Sequence, residues 1–170
     1  MDDMPKALTD AHLREIGRIA SEWSLLEFHM QLCIGALAGI ENDALFVLTK
    51  GLSYTGWKEC ILALALRQSF GEAHEREARK LFNDLDALQL ERNKAVHTAW
   101  MYEERFEGDP LKWVGGTTGT SAAGSAFPKR GRKSLIAVEM TIIDMAQIAD
   151  RIIGARETLI ELFFGRREQS

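Results

Sequence analysis

The chain has 170 residues, of which 46% are hydrophobic and 27% charged, and its net charge is −4 at pH 7. These values are typical of one soluble globular domain and exclude a disordered or fibrous protein, and no apolar run approaches the roughly 20 residues of a membrane-spanning helix. The negative net charge argues against broad, non-specific binding to nucleic acid, because such binding depends on neutralising phosphates. A local basic site that binds nucleic acid is still compatible with this net charge.

The first residues and the cysteines indicate the compartment. The sequence MDDMPKALTD is acidic and lacks the basic and apolar parts of a secretion signal. Cys33 and Cys60 form no CxxC pair, so both are interpreted as small apolar residues of a reducing environment. We therefore expect a cytoplasmic protein.

Apolar residues at helical spacing predict an all-α fold, a bundle of four to five helices in one domain over residues 1–170. The first helix is expected from about Thr9 to Ala38, where Gly39 can end it. Its apolar stripe consists of Leu13, Ile16, Ala20, Trp23, Met30, Ile34 and Leu37.

Four more helices follow in the prediction. A short one spans Asn42 to Lys50, and a third runs from about Thr55 to near Gly71, with Trp57, Ile61, Leu64 and Leu66 as its apolar residues. The fourth extends from Glu72 to about His97. The last begins at a variant capping box, Thr141 to Asp144, and ends near Phe164.

Between the last two helices the pattern changes. Ala99 to Tyr102 and Leu135 to Val138 are short aromatic or β-branched runs, which favour a small β-hairpin before the last helix. The segment 115–134 is first rich in glycine and serine and then basic, and it is predicted to be a flexible loop. No Gly-Lys-Ser/Thr follows the glycines, so a phosphate-binding loop is disfavoured.

Two charged residues interrupt apolar stripes. Arg92 falls among the leucines and alanines of the fourth helix, and Glu27 falls on the stripe of the first. Burying a charge is costly unless it is paired, so we expect these two side chains to pair. The pair would be purely structural, or Glu27 would orient Arg92 beside a functional site. The two interpretations are compatible.

His97 stands near the end of the fourth helix, about 140° around the helix from Arg92, and shares a face with Asn93 and Leu90. A single histidine near a helix end is more often structural or simply exposed, since it can meet the last carbonyl groups. The alternative is a catalytic acid–base, since histidine titrates near neutral pH.

The segment from Glu91 to His97 (ERNKAVH) resembles the signature of the HEPN domains, in which an arginine and a polar residue precede a histidine late in a bundle helix. The Trp23-Ser-Leu-Leu-Glu27 run is similar to a Trp-x-x-Leu-Glu pattern of the first helix in that family. With the helix order, the resemblance covers most of the chain. One departure is Thr98, where many relatives have glycine.

The resemblance implies a homodimer in which two Arg–His motifs face each other, and active members of the family are metal-independent ribonucleases. Implied roles follow for three residues of this sequence. His97 would deprotonate the ribose 2′-hydroxyl or protonate the leaving oxygen, Arg92 would stabilise charge on the phosphate, and Asn93 would bind the phosphate or hold His97. Many relatives lack nuclease activity and serve as binding or assembly modules.

Two functions therefore remain as hypotheses. The first is an endoribonuclease that needs no cofactor, for example the toxin of a defence or toxin–antitoxin system with an antitoxin or nucleotidyltransferase as partner. The second is a catalytically silent dimerisation or binding module. The basic cluster of Lys129, Arg130, Arg132 and Lys133 is interpreted as a solvated loop, with RNA contact as the alternative. The histidines show no HExxH or Cys/His spacing for zinc.

Overall fold

The structure, a computed structural model, describes residues 10–68, 70–97, 99–101, 112–118 and 135–165. Its elements in chain order are α1 (Asp10–Ala38), α2 (Asn42–Thr49), α3 (Tyr54–Arg67), α4 (Glu72–His97), β1 (Ala99–Met101), β2 (Lys112–Thr118), β3 (Leu135–Thr141) and α5 (Ile142–Phe164). The prediction of a mainly helical protein is confirmed, since the described residues contain five α-helices.

The predicted hairpin is wrong in its pairing. The three strands form one antiparallel sheet in the order β1-β2-β3, so β2 separates the two strands that we expected to pair with each other. The predicted loop 115–134 is also wrong at its start, because Gly115–Thr118 belongs to β2. Small residues and two glycines concealed this strand, since glycine disfavours strands. Residues 119–134, and Tyr102 of the first predicted strand, lie outside the described residues.

The described residues fall into two compact units. The first contains residues up to Ala20 and from Gln89 to Asp150, which include the start of α1, the end of α4, the three strands and the start of α5. The second contains Ser21–Leu88 and the residues from Arg151 onward, and it is a helical bundle. The candidate residues Arg92, Asn93 and His97 all belong to the first unit.

The buried face of α1 differs slightly from the predicted stripe. Leu13 is exposed, and His12 and Ile19 are buried instead, so the stripe is rotated by about one residue at its start. Cys33 lies in the core, where burial raises the pKa of its thiol to about 12. The thiol is therefore uncharged, as expected for a cysteine that packs as a small apolar residue. In α3, Ile61 is fully buried and Leu66 is exposed.

The predicted C-terminal end of α1 and the predicted N-terminal start of α5 are confirmed. Gly39 adopts a φ of 68°, and the amide of Ile40 donates to the carbonyl of Gly35 at 3.0 Å, which is a Schellman C-terminus. At the start of α5, the amide of Thr141 donates to Asp144 Oδ2 at 2.7 Å and the amide of Asp144 donates to Thr141 Oγ1 at 3.0 Å. This reciprocal pair is a capping box.

Among the described residues, no single helix is long and apolar enough to cross a membrane, although the bent pair of α1 and α2 passes the same test together.

Candidate active site on the last turns of α4

The candidate site lies on the last two turns of α4, which stays helical as far as His97. Ala95 is fully buried and anchors this end of the helix. On the other sides Arg92 and Asn93 are half-buried, and His97 is exposed. The helix therefore presents a guanidinium, an amide and an imidazole where part of each side chain is accessible to solvent.

Arg92 connects the three residues. Its Nη1 lies 3.0 Å from His97 Nε2 and 3.0 Å from Asn93 Oδ1. Its Nε atom is buried, so one edge of the guanidinium is enclosed by protein while Nη1 reaches the imidazole. Spacing placed Arg92 and His97 on different faces of the helix, yet the structure brings their side chains into direct contact.

The contact fixes the role of one imidazole nitrogen. Arginine has only donors, so Nε2 of His97 is the acceptor in this hydrogen bond. A neutral imidazole beside a fixed cation is the form in which a histidine acts as a general base near an anionic substrate.

Asn93 has a supporting position. Its Oδ1 accepts from Arg92, which leaves the amide nitrogen of the same side chain as a donor group on the site. The arrangement thus combines one acceptor nitrogen, on His97, with donors from Arg92 and Asn93. Donors of this type bind phosphate oxygens, and arginine matches their geometry best.

Glu27, the predicted partner of Arg92, is half-buried and accepts a hydrogen bond from Trp23 Nε1 at 2.8 Å. The pairing of Glu27 with Arg92 stays a prediction. The four predicted RNA-contacting residues, Lys129, Arg130, Arg132 and Lys133, lie outside the described residues, as does Thr98.

Sequence reasoning missed one titratable residue of the same unit. His12 is 1% exposed, and burial lowers its pKa from the usual 6.5. The signal was its spacing, because His12 precedes the buried Ile19 by seven residues and Trp23 by eleven, which places it on the apolar side of α1.

Over the described ranges, no group of three or more histidine, cysteine, aspartate or glutamate side chains is placed to hold a metal ion. Comparison with known proteins gives no assignment: no protein-family model, no curated protein and no solved structure matches the chain.

Proposed function

We propose that the protein is a metal-independent endoribonuclease of the HEPN type. The observation that carries the proposal is the contact of Arg92 Nη1 with His97 Nε2 at 3.0 Å. This contact brings together Arg92 and His97. They are the two residues of the HEPN-like motif to which the resemblance assigns phosphate binding and acid–base catalysis. A role in toxin–antitoxin or defence systems, with an antitoxin or nucleotidyltransferase partner, belongs to the same proposal.

The proposed reaction is attack of the ribose 2′-hydroxyl on the adjacent phosphorus. His97 Nε2 accepts the hydroxyl proton, the new O2′–P bond forms, and the P–O5′ bond breaks. The departing oxygen is protonated by a second acid, for which the imidazolium of a second His97 is the natural candidate in a dimer. The products are a 2′,3′-cyclic phosphate and a 5′-hydroxyl end.

Arg92 has two tasks in this scheme. In the free protein its hydrogen bond orients the imidazole of His97. When a phosphate binds, its anionic oxygens compete for the guanidinium, which releases Nε2 for the 2′-hydroxyl and places positive charge where charge develops on the phosphorus oxygens. Asn93 holds Arg92 through Oδ1 and offers its amide to the substrate.

The exposed apolar side chain of Leu90 supports a homodimer through this face. Leu90 is 44% exposed and precedes Asn93 and His97 by three and seven residues, so the three share one side of α4. A two-fold interface uses the same patch on both subunits, which would bring the two His97 side chains together. Leu90→Asp should then reduce both the particle mass and the activity.

The test is cleavage of a labelled DNA strand that contains a single ribonucleotide, in excess chelator. The proposal expects one cut, directly after the ribonucleotide, with a cyclic phosphate on one product and a hydroxyl on the other. An all-DNA strand should stay intact, because it lacks the attacking hydroxyl. Cleavage of the all-DNA strand, or products with a 5′-phosphate, would contradict the mechanism. Absence of any cleavage would favour the silent binding module.

A further inference from the structure

Large apolar side chains are exposed on one part of the second unit. Of the ten large hydrophobic residues that are exposed in the described chain, four form a patch on α1 and α2, which we name the α2 patch: Leu25, Phe28, Phe46 and Val47. The rings of Phe28 and Phe46 are stacked, with centroids 5.9 Å apart, so the two helices contribute to one continuous surface. This clustering is unlike the scattered apolar residues of an ordinary surface.

The opposite side of α2 fixes the helix firmly. Leu45 and Thr49 are buried, and Thr49 Oγ1 lies 2.9 Å from Gln31 Oε1 of α1. Leu45 packs so closely on Gly35 that a Cβ at that glycine would lie 2.7 Å from Leu45 Cδ2. The indole of Trp57 also donates to the carbonyl of Thr49 at 3.2 Å. The outward side of α2 is therefore presented by a well-anchored helix.

The outward side of α2 has a regular pattern. Asp43, Phe46, Val47 and Lys50 follow each other at i, i+3, i+4 and i+7, which places them on one side of the helix, and all four are exposed. Lys50 keeps helical dihedral angles as the C-cap residue, so the pattern extends to it. An acid thus stands at one end, a base at the other, and two apolar side chains between them.

This pattern is complementary to itself when reversed. If two α2 helices pack antiparallel about a two-fold axis between Phe46 and Val47, Asp43 of each copy lies opposite Lys50 of the other. Phe46 then lies opposite Val47 at the centre. Antiparallel packing also opposes the two helix dipoles favourably. A two-fold interface requires exactly such a self-complementary patch.

The size of the α2 patch agrees with this occupant. Its four side chains, exposed by 38 to 76%, present on the order of 350 Å² of apolar surface. An interface at the lower end of the standard range buries about 600 Å² per partner, of which somewhat more than half is apolar. The acids Glu41 and Asp43 at one end disfavour an anionic lipid surface as the alternative occupant.

We propose that the α2 patch is a homotypic interface, in which α2 of one copy packs antiparallel on α2 of a second copy with reciprocal Asp43–Lys50 pairs. The interface uses residues other than Leu90 and does not depend on the nuclease proposal. If the face around Leu90 and the α2 patch both associate, the particle contains more than two copies of the chain.

The test is the particle mass of the full chain, measured by light scattering or sedimentation from micromolar to millimolar concentration. Val47→Asp should raise the dissociation constant of this contact at least tenfold. The matched control is Leu66→Asp, which makes the same change at an exposed leucine of α3. The control should keep the wild-type mass, and melting curves should show that both variants fold.

A charge exchange identifies the occupant. Asp43→Lys and Lys50→Asp should each weaken the contact because they oppose like charges, and the double exchange should restore it. Wild-type protein that stays a single chain at all concentrations overturns the proposal, as does a Val47→Asp variant with unchanged mass. Two single exchanges that weaken the contact without rescue in the double variant also overturn the antiparallel pairing. Wild-type chain that binds vesicles or another protein while remaining single would assign the α2 patch to those occupants.

Discussion

Arg92 Nη1 and His97 Nε2 lie 3.0 Å apart on the last two turns of α4. The two residues are five positions apart, so their backbones are separated by about 7.5 Å along the helix axis. The long arginine side chain closes this distance. As a result any substitution of Arg92 changes the orientation of His97 as well as the charge beside it.

The predicted pair of Glu27 and Arg92 is tested by a double-mutant cycle. Removing one partner with Glu27→Gln or Arg92→Met should cost about 1–3 kcal/mol, less than in a fully buried pair because both residues are half-buried. The double variant should cost clearly less than the sum, since the second substitution removes a partner already lost. Urea denaturation measures all three values. Additive costs would show that the two side chains do not interact.

Asp86 should stabilise the helical unit through two donors. Tyr54 is buried and its hydroxyl donates to Asp86 Oδ1 at 3.0 Å, while Lys58 Nζ lies 2.8 Å from Oδ2. Burial, together with the charge and hydrogen bond of Asp86, raises the pKa of Tyr54 far above its usual range. Asp86→Ala leaves the buried hydroxyl without this acceptor and should cost about 1–3 kcal/mol.

Tyr54→Phe is the matched control for Asp86→Ala, because it removes the hydroxyl and leaves nothing unsatisfied on that side. In the Tyr54→Phe background, Asp86→Ala should cost less than in the wild type. Equal costs in both backgrounds, by urea denaturation, would contradict a contribution of this hydrogen bond.

Gly39 should resist substitution by alanine. Its φ of 68° lies in the left-handed region, where a Cβ costs about 1 kcal/mol or more. Nothing lies within 4 Å of a Cβ built there, so the cost is conformational and not steric with neighbours. Gly39→Ala should therefore lower stability by about 1 kcal/mol and Gly39→Asn by less, since asparagine tolerates this region. Equal melting temperatures for the wild type and Gly39→Ala would refute the argument.

His12 should make the protein less stable in mild acid. Burial lowers its pKa below 6.5 in the folded state, so the unfolded chain binds more protons below that pH. The contribution is fully present above pH 6.5 and decreases as the pH falls toward the folded value. His12→Gln cannot titrate, so its melting temperature should fall less than that of the wild type between pH 7.5 and 5.5. Parallel pH profiles of the two proteins would contradict this prediction.

Much of the helical architecture could be predicted from the sequence, because apolar spacing and end signals agree. The predicted bounds of α4, Glu72 to about His97, agree with the structure, since Gly71 precedes the helix and its leucines repeat regularly. β2 could not be predicted, because Gly115 and Gly116 carry no apolar alternation and the strand is defined by its neighbours β1 and β3. Leu13 was wrongly placed on the buried face, because the apolar residues of α1 do not determine which of two neighbouring positions at the start of the helix faces the core.

The contacts within the candidate site could not be predicted from the sequence. The motif identified Arg92, Asn93 and His97, but a helical wheel describes Cβ directions and ignores side-chain length. The wheel therefore missed the hydrogen bond between Arg92 and His97. The outward pattern of α2 was also missed, because an eight-residue helix looks like a connector until burial distinguishes Leu45 from Phe46 and Val47.

The most direct test of the central claim is the initial rate of single-stranded RNA cleavage in excess chelator, measured for the wild type, His97→Ala and His29→Ala. Losing a general acid–base typically lowers the rate about 10²–10⁴-fold, so His97→Ala should lose activity to that extent at an unchanged melting temperature. His29→Ala removes a histidine of the other unit and should keep the wild-type rate. Cleavage by His97→Ala at the wild-type rate would contradict the account.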